Sequence, residues 1–215
     1  MRFHDRQDAG HRLAERVAEV GLDDAVVLGL PRGGVPVAAP VAAVLKAPLD
    51  VYVVRKVGAP GHPELGVGAV AEGLTEPVIN EDIARHLGLT DADVRTLAAG
   101  VAELVAAQVA AYRSGRELLP LRGRDVVLVD DGLATGVTAA AGLRALRAFE
   151  PRSLHFAAPV CARQSIPRIA AVADGVLSVL IQPDLRSVGE WYDDFTQTTD
   201  EEVLRLLAST SEQDR

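Results

Sequence analysis

The densest run of side chains able to do chemistry in the 215 residues is VVLVDDGLATGVT, residues 126–138. Its four aliphatic residues read as a buried strand, and two carboxylates, Asp130 and Asp131, stand where that strand ends. Neighbouring strand residues point to opposite faces, so the two acids cannot share one core; at a strand terminus both can reach hydroxyls or a metal ion. A solvated pair with no chemical task is the other reading of these two residues alone. The loop that follows favours a ligand. Ala134, Thr135, Gly136, Val137 and Thr138 set small and hydroxylated residues at a helix start, where unpaired amides and the positive dipole end face an anion. Gly136 lets the backbone approach closely, Thr135 and Thr138 add hydroxyl donors, and a phosphate monoester is the natural guest.

Other phosphate motifs fail. There is no GxxxxGK[ST] run, GLPRGG after the first strand is not GxGxxG, and an unrelated phosphatase or nucleotidase would need a nucleophile motif that is missing. The segment VVLVDDGLATGVT instead resembles the phosphoribosyl pyrophosphate motif of type I phosphoribosyltransferases, which reads as four apolar residues, two acids and a TGxT loop. The resemblance implies an enzyme that binds 5-phosphoribosyl 1-pyrophosphate and transfers phosphoribosyl to a nitrogenous base or amine, releasing pyrophosphate. It implies that residues Ala134 to Thr138 take the 5-phosphate and that Asp130 and Asp131 take the ribose hydroxyls as catalytic residues. It also implies Mg2+ between the pyrophosphate and ribose oxygens, reached by Asp130 and Asp131 indirectly.

A second loop in that family takes the pyrophosphate on backbone amides. LPRGG matches it, with Arg32, Gly33 and Gly34 in that role and a strained or cis peptide implied; an ordinary turn before a helix is the other reading. Arg55 and Lys56 resemble the Arg-Lys pair that reaches pyrophosphate in adenine and orotate phosphoribosyltransferases, with Lys56 also among the catalytic residues. Arg suits a bidentate grip and Lys a movable point charge, although a basic pair at a strand end can simply be solvated. The run GAPGHPELGVGAVAEG looks like the family's lid, a long, mobile loop hinged at its glycines; His62, Glu64 and Glu72 within it are read as structural or solvent-facing.

The acceptor in type I enzymes is read by a hood built from the chain ends, for which QPDLRSVGEWYDDF is the candidate here. Trp191, Tyr192 or Phe195 would stack on a flat base, and Asp184, Asp193 or Asp194 would accept from ring nitrogens or aid a metal. Anchoring of the tail on the sheet edge by these aromatics is equally open. FHDRQDAG and VGEWYDDFTQTTDEEV also resemble a bacterial subgroup of phosphoribosyltransferases assigned from sequence, so the resemblance spans nearly the full chain. The hood matches none of the adenine, hypoxanthine, uracil or orotate patterns, and the acceptor stays unnamed.

The elements that must position these residues alternate. A short amphipathic helix carrying Leu13, Val17 and Val20, capped by Asp5 or Asp8, precedes the strand AVVLGL; a helix follows through VAAPVAAVL, then the strand DVYVVRKVG. After the lid come a short strand and helix in PVINEDIARHLGLT and a long alanine-rich helix opened by Thr90 and Asp93 and persisting to Tyr112 or Gly115. SLHFAAPV and GVLSVLI are further buried strands around a helix. The expected fold is α/β: a mostly parallel twisted sheet flanked by helices, the type I phosphoribosyltransferase fold with a flexible lid and a small hood. One domain is expected over 1–215, its hood approximately 182–207 plus the N-terminal segment, its tail 208–215 disordered.

Composition agrees with a packed core and limits the partners. Hydrophobic residues make up 48% and aromatics 4%, so aliphatic side chains must fill the interior. The net charge of -8 argues against a broad nucleic-acid footprint. The single cysteine, Cys161, reads as a buried, inert thiol in a reducing cytoplasm. With no apolar leader and no 18-residue apolar run, neither secretion nor a membrane partner is expected. A regulatory protein that senses phosphoribosyl pyrophosphate or a nucleotide without transfer is the rival; such relatives carry a DNA-binding domain, for which the chain shows neither spare length nor a basic patch. Dimers are common in such families, which admits a homodimer.

Overall fold

The computed structural model describes residues 2–211, except the side chains of Glu64, Thr210 and Ser211. In chain order α1 (Arg6–Ala18), β1 (Ala25–Gly29), α2 (Gly34–Leu45) and β2 (Leu49–Val51) are followed by β3 (Val54–Ala59), β4 (His62–Ala71) and β5 (Val78–Ile79). Then come α3 (Glu81–His86), α4 (Asp91–Arg113), β6 (Asp125–Val129), α5 (Val137–Arg147), β7 (Ser153–Ala162), α6 (Ile166–Ala170), β8 (Gly175–Gln182) and α7 (Asp200–Ser211).

Five strands form a parallel sheet in the order β2-β1-β6-β7-β8. Strand alternation divides its side chains between two cores. Val127 and Val129 pack with Leu13, Val35 and Val41 under α1 and α2, while Val126 and Leu128 pack with Leu143, Leu146 and Phe156 under α5. Each such fully buried aliphatic side chain contributes about 1.5–3 kcal/mol, which is why β1 and β6 need no polar face. The chain turns one way from β1 to β2 and the other way from β6 to β7, so the order reverses between β1 and β6. Ligands of open parallel sheets sit in the crevice beyond such a reversal.

The α/β class and the parallel sheet are as the sequence predicts, and several local readings change; β8, expected as a buried strand, is only half-buried. Asp5, not Asp8, caps α1, its side chain accepting from the Asp8 amide, and Val20 lies past the helix end and is exposed. The run DVYVVRKVG is two strands rather than one: β2 stops at Val51, and β3 joins a separate antiparallel sheet, β3-β4-β5. The Gly- and Pro-rich run after it is the rest of a hairpin. Arg55 pairs with Val70 and Lys56 with Ala69, and register shifts on either side of Gly58 absorb the glycines as bulges. The capping box of Thr90 and Asp93 opens α4 as expected, and α4 ends at Arg113. By length and composition α4 would pass for a membrane span, yet it packs on β3, β4 and α7. Helix α7 continues to Ser211, past the expected start of a frayed tail, and 212–215 lie outside the described residues.

A buried guanidinium holds the break between β2 and β3. Arg113, 2% exposed at the end of α4, donates to Asp50 at 3.2 and 3.3 Å, to the Val51 carbonyl at 2.6 Å and to both oxygens of Glu72. Glu72 also accepts from the Val53 amide at 3.2 Å, and its backbone carbonyl accepts from the Tyr52 hydroxyl. Glu72 is thus structural, one of its two expected readings. Breaking such a buried cluster leaves carboxylates without a counter-charge, a cost of about 3–5 kcal/mol. Arg113→Met is expected to lower the unfolding free energy in urea by roughly that amount; a loss under about 1 kcal/mol would show that the cluster does not tie the two sheets together.

Candidate functional site

The β1–β6 reversal brings two loops side by side. Gly29 pairs with Val129 in register, and the Leu30 amide donates to the Val129 carbonyl at 2.9 Å, so the chain leaves both strands at one level. Asp130 and Asp131 leave β6 there, and Pro31, Arg32, Gly33 and Gly34 leave β1. The Pro31–Arg32 peptide is cis, as the resemblance implies. Gly33 and Gly34 are required by contact: a Cβ on Gly33 would overlap the Asp131 carboxylate, and one on Gly34 would stand 2.5 Å from the Val129 carbonyl oxygen. The Gly34 amide is spent inside the turn, donating to the Leu30 carbonyl at 2.9 Å. Of the three residues expected to face pyrophosphate, Arg32 and Gly33 line a cavity and Gly34 instead starts α2.

The loop from β6 to α5 turns its amides away from the end of β7 and from α6. Its carbonyls are turned out: Leu133 accepts from the Ala162 amide at 2.7 Å, Ala134 from the Ser165 hydroxyl, and Thr135 from the Arg168 guanidinium at 2.7 Å. A trans peptide sets N–H opposite C=O, so the amides of Ala134, Thr135 and Gly136 point the other way. Gly136 adopts φ +70°, which turns the chain into α5, and the first-turn amides of Val137 and Thr138 have no helical carbonyl behind them. The five expected phosphate residues therefore form one amide-lined, positively polarised turn.

The two acids are recessed and unequal. Asp131 accepts from Arg6 Nε at 2.9 Å, its carbonyl accepts the Tyr192 hydroxyl at 2.6 Å, and Asp130 accepts the Asp131 amide at 2.9 Å. Burial, and for Asp130 also repulsion from Asp131, raises the proton affinity of both carboxyls; Arg6 offsets only part of this. The sequence leads one to expect both acids open to a ligand; Asp131 is instead ion-paired with Arg6. Among the described residues no group of three His, Cys, Asp or Glu side chains could hold a metal ion. Two desolvated carboxylates sharing one guanidinium still fit a hard cation that takes most of its oxygens from a bound ligand and water.

Beside the loops lies a cavity of about 740 Å3, walled by Arg6, Arg32, Gly33 and Arg55, by Gln108 and Tyr112 of α4, and by Gln197, Thr198 and Asp200. Arg55 reaches it; Lys56 does not. Adjacent strand residues face opposite sides, and the Lys56 stem lies against Gly66, which in turn approaches Val137 at the start of α5. The expected Arg-Lys pair is therefore split, with Arg55 on the cavity and Lys56 on the opposite face of β3.

The hood is built from both chain ends. Phe3 and His4 exchange backbone hydrogen bonds with Trp191, Asp193 and Asp194, and Val188 covers Gly132. The aromatics serve as anchors. Tyr192, 1% exposed, packs between Phe3 and Phe195, and Arg6 stacks on Phe195 at 3.9 Å. The Tyr192 ring is thus spent on packing and is not offered to a base. Trp191 is half-buried, its Nε1 without a partner among the described residues, and Asp184 is exposed in the turn after β8; neither lines the cavity. His62 is exposed, and the Glu64 side chain lies outside the described residues. Cys161 is buried, and burial pushes its thiol up to about 11.

Sequence reasoning passed over Arg6, Gln108, Tyr112 and Asp200. Arg6 lay inside the FHDRQDAG segment that carries a resemblance, and Gln108 and Tyr112 are four apart on one helix face, a spacing that places them together. Nothing in the sequence points from Asp200 to Tyr112.

The parallel sheet reverses its order between β1 and β6, and the amide turn, the two recessed acids and the glycine loop all lie on that one edge. Residues 4–190 match the phosphoribosyl transferase domain model. TT1426 from Thermus thermophilus shares 42% identity and superposes with a TM-score of 0.86 over 97% of this chain and 99% of that one. Rv0571c of Mycobacterium tuberculosis, which carries a provisional phosphoribosyl transferase name, is 42% identical over 205 residues, 95% of this chain and 46% of that protein. AQ2163 from Aquifex aeolicus, at 13% identity and a TM-score of 0.51, shares the fold alone. The chain belongs to the phosphoribosyl transferase family. It spans about half the length of the curated relatives it matches, so its length carries no argument about further domains.

The raised proton affinity of the acids has a testable sign. A carboxyl whose folded pKa lies above its unfolded value stabilises the fold only while protonated, and that contribution is lost as pH rises through the folded pKa. Asp130→Asn keeps the hydrogen bond to the Asp131 amide and removes the charge. The ligand-free variant should melt higher than the native protein near pH 7.5, with the gap closing as pH falls through the acid range; a variant less stable at neutral pH would contradict the burial of that charge.

Proposed function

We propose that the domain binds 5-phosphoribosyl 1-pyrophosphate across the β1–β6 edge and transfers its phosphoribosyl group to a nitrogenous acceptor. The observation that carries this reading is the turn of Ala134 to Thr138, which follows Asp130 and Asp131 and has its carbonyls bonded to β7 and α6, so that its amides point the other way. The 5-phosphate sits on that turn, where each charge-assisted contact contributes about 1.5–3 kcal/mol. Asp130 and Asp131 face the ribose hydroxyls, and Arg32, Gly33 and Arg55 face the pyrophosphate. Lys56, placed beside Val137, serves the phosphate end rather than the leaving group.

The bond from the anomeric carbon to pyrophosphate breaks as the acceptor nitrogen bonds to that carbon, through an oxocarbenium-like state. The residues hold the partners in line and stabilise the separating charges. Asp130 and Asp131 would hold Mg2+ through water and ligand oxygens, and the ion would supply charge neutralisation on pyrophosphate. The buried, unpaired Cys161 supports a reducing, cytoplasmic setting. Asp184 and Trp191, although outside the cavity lining, are the hood residues assigned to the acceptor in this reading, Tyr192 contributing only by supporting Asp131.

Asp131→Asn and Thr135→Val are each expected to weaken donor binding by about 1.5–3 kcal/mol in titration calorimetry with Mg2+. Unchanged affinity in both would remove the donor site from this edge. Pyrophosphate release with one of a panel of bases or amines supports transfer; donor binding without release from any of them supports the sensing alternative.

A further inference from the structure

We infer that Tyr112 and Asp200 are positioning residues for Arg55, and this rests on the reading of the cavity as the pyrophosphate end of the site. Four side chains from three elements form one hydrogen-bonded chain along the cavity wall. Arg55 Nε of β3 donates to Gln108 Oε1 at 3.0 Å, Gln108 Nε2 of α4 donates to Tyr112 Oη at 3.2 Å, and Tyr112 Oη donates to Asp200 Oδ1 of α7 at 2.5 Å. All four residues line the cavity that also holds Arg32 and Gly33.

The direction of every bond follows from the carboxylate at the end. Ionised Asp200 can only accept, so the single hydroxyl proton of Tyr112 goes to it, and Tyr112 Oη then receives from Gln108. That fixes the amide with its nitrogen toward Tyr112 and its oxygen toward Arg55. The oxygen holds Arg55 by Nε alone and leaves both terminal nitrogens of the guanidinium for an anion. Burial, together with the bond to Asp200, raises the pKa of Tyr112 and keeps its proton in place. Without that proton order, the amide can flip and present a donor to a guanidinium that has no acceptor.

The test separates the two ends of the donor by using magnesium pyrophosphate and ribose 5-phosphate as individual calorimetric ligands. Tyr112→Phe and Asp200→Ala are expected to weaken pyrophosphate binding roughly 3- to 10-fold and to leave ribose 5-phosphate binding unchanged. Arg55→Ala should weaken pyrophosphate at least as much, with no further loss when Tyr112→Phe is added to it. Wild-type affinity for pyrophosphate in both Tyr112→Phe and Asp200→Ala, additive losses in the double variant, or equal losses for both ligands would each overturn the inference. Native protein that binds ribose 5-phosphate but not pyrophosphate would overturn it too, while native protein that binds neither would overturn the donor-site reading beneath it.

Discussion

Everything at the carboxyl edge depends on one close contact, the seating of Gly33 and Gly34 against Val129 and Asp131. The register of β1 with β6 brings the two strand ends level, and the absence of side chains at 33 and 34 lets one loop lie on the acids of the other. A methyl group at either position would push into a carboxylate or a carbonyl. The cost would fall on Asp131 and its partner Arg6, and through Arg6 on the Thr196 carbonyl and the Phe195 ring that hold the hood. The same contact leaves two carboxyls partly stripped of water with only one guanidinium to answer them. Such an arrangement is unfavourable by itself, because burial disfavours the charged form of both carboxyls.

The hairpin of β3 and β4 gives the edge its second side. It stands on α4 and α5, and Arg113 pins its base to the parallel sheet. Alternation along β3 then sends Arg55 toward α4 and Lys56 toward the start of α5. A paired strand thus sends the two cations to opposite faces in a defined direction, which a single irregular loop would not do.

Much of this was legible in the sequence where local chemistry decides structure. VVLVDDGLATGVT carries its strand, its turn and its helix start in consecutive residues, and the Thr90–Asp93 box announced α4. The hairpin was not legible, because glycines and prolines that argue against a strand are tolerated here by bulges at Gly58 and by close passage of Lys56 and Val137 past Gly66. The split of DVYVVRKVG depends on Arg113, more than fifty residues away in the chain, and the pairing of Tyr112 with Asp200 depends on the docking of α7. The role of Tyr192 was open between stacking and anchoring, and the packing of Phe3 and Phe195 around it decided for anchoring.

The central claim is that the amide turn and the two acids form one end of a phosphoribosyl pyrophosphate site. The most direct measurement is a crystal structure of the protein grown with that compound and Mg2+. The account predicts the 5-phosphate against the amides of Ala134 to Thr138, the ribose hydroxyls at Asp130 and Asp131, and the pyrophosphate toward Arg32 and Arg55. A donor lodged elsewhere, with Asp131 still closed on Arg6 and the turn untouched, would contradict it.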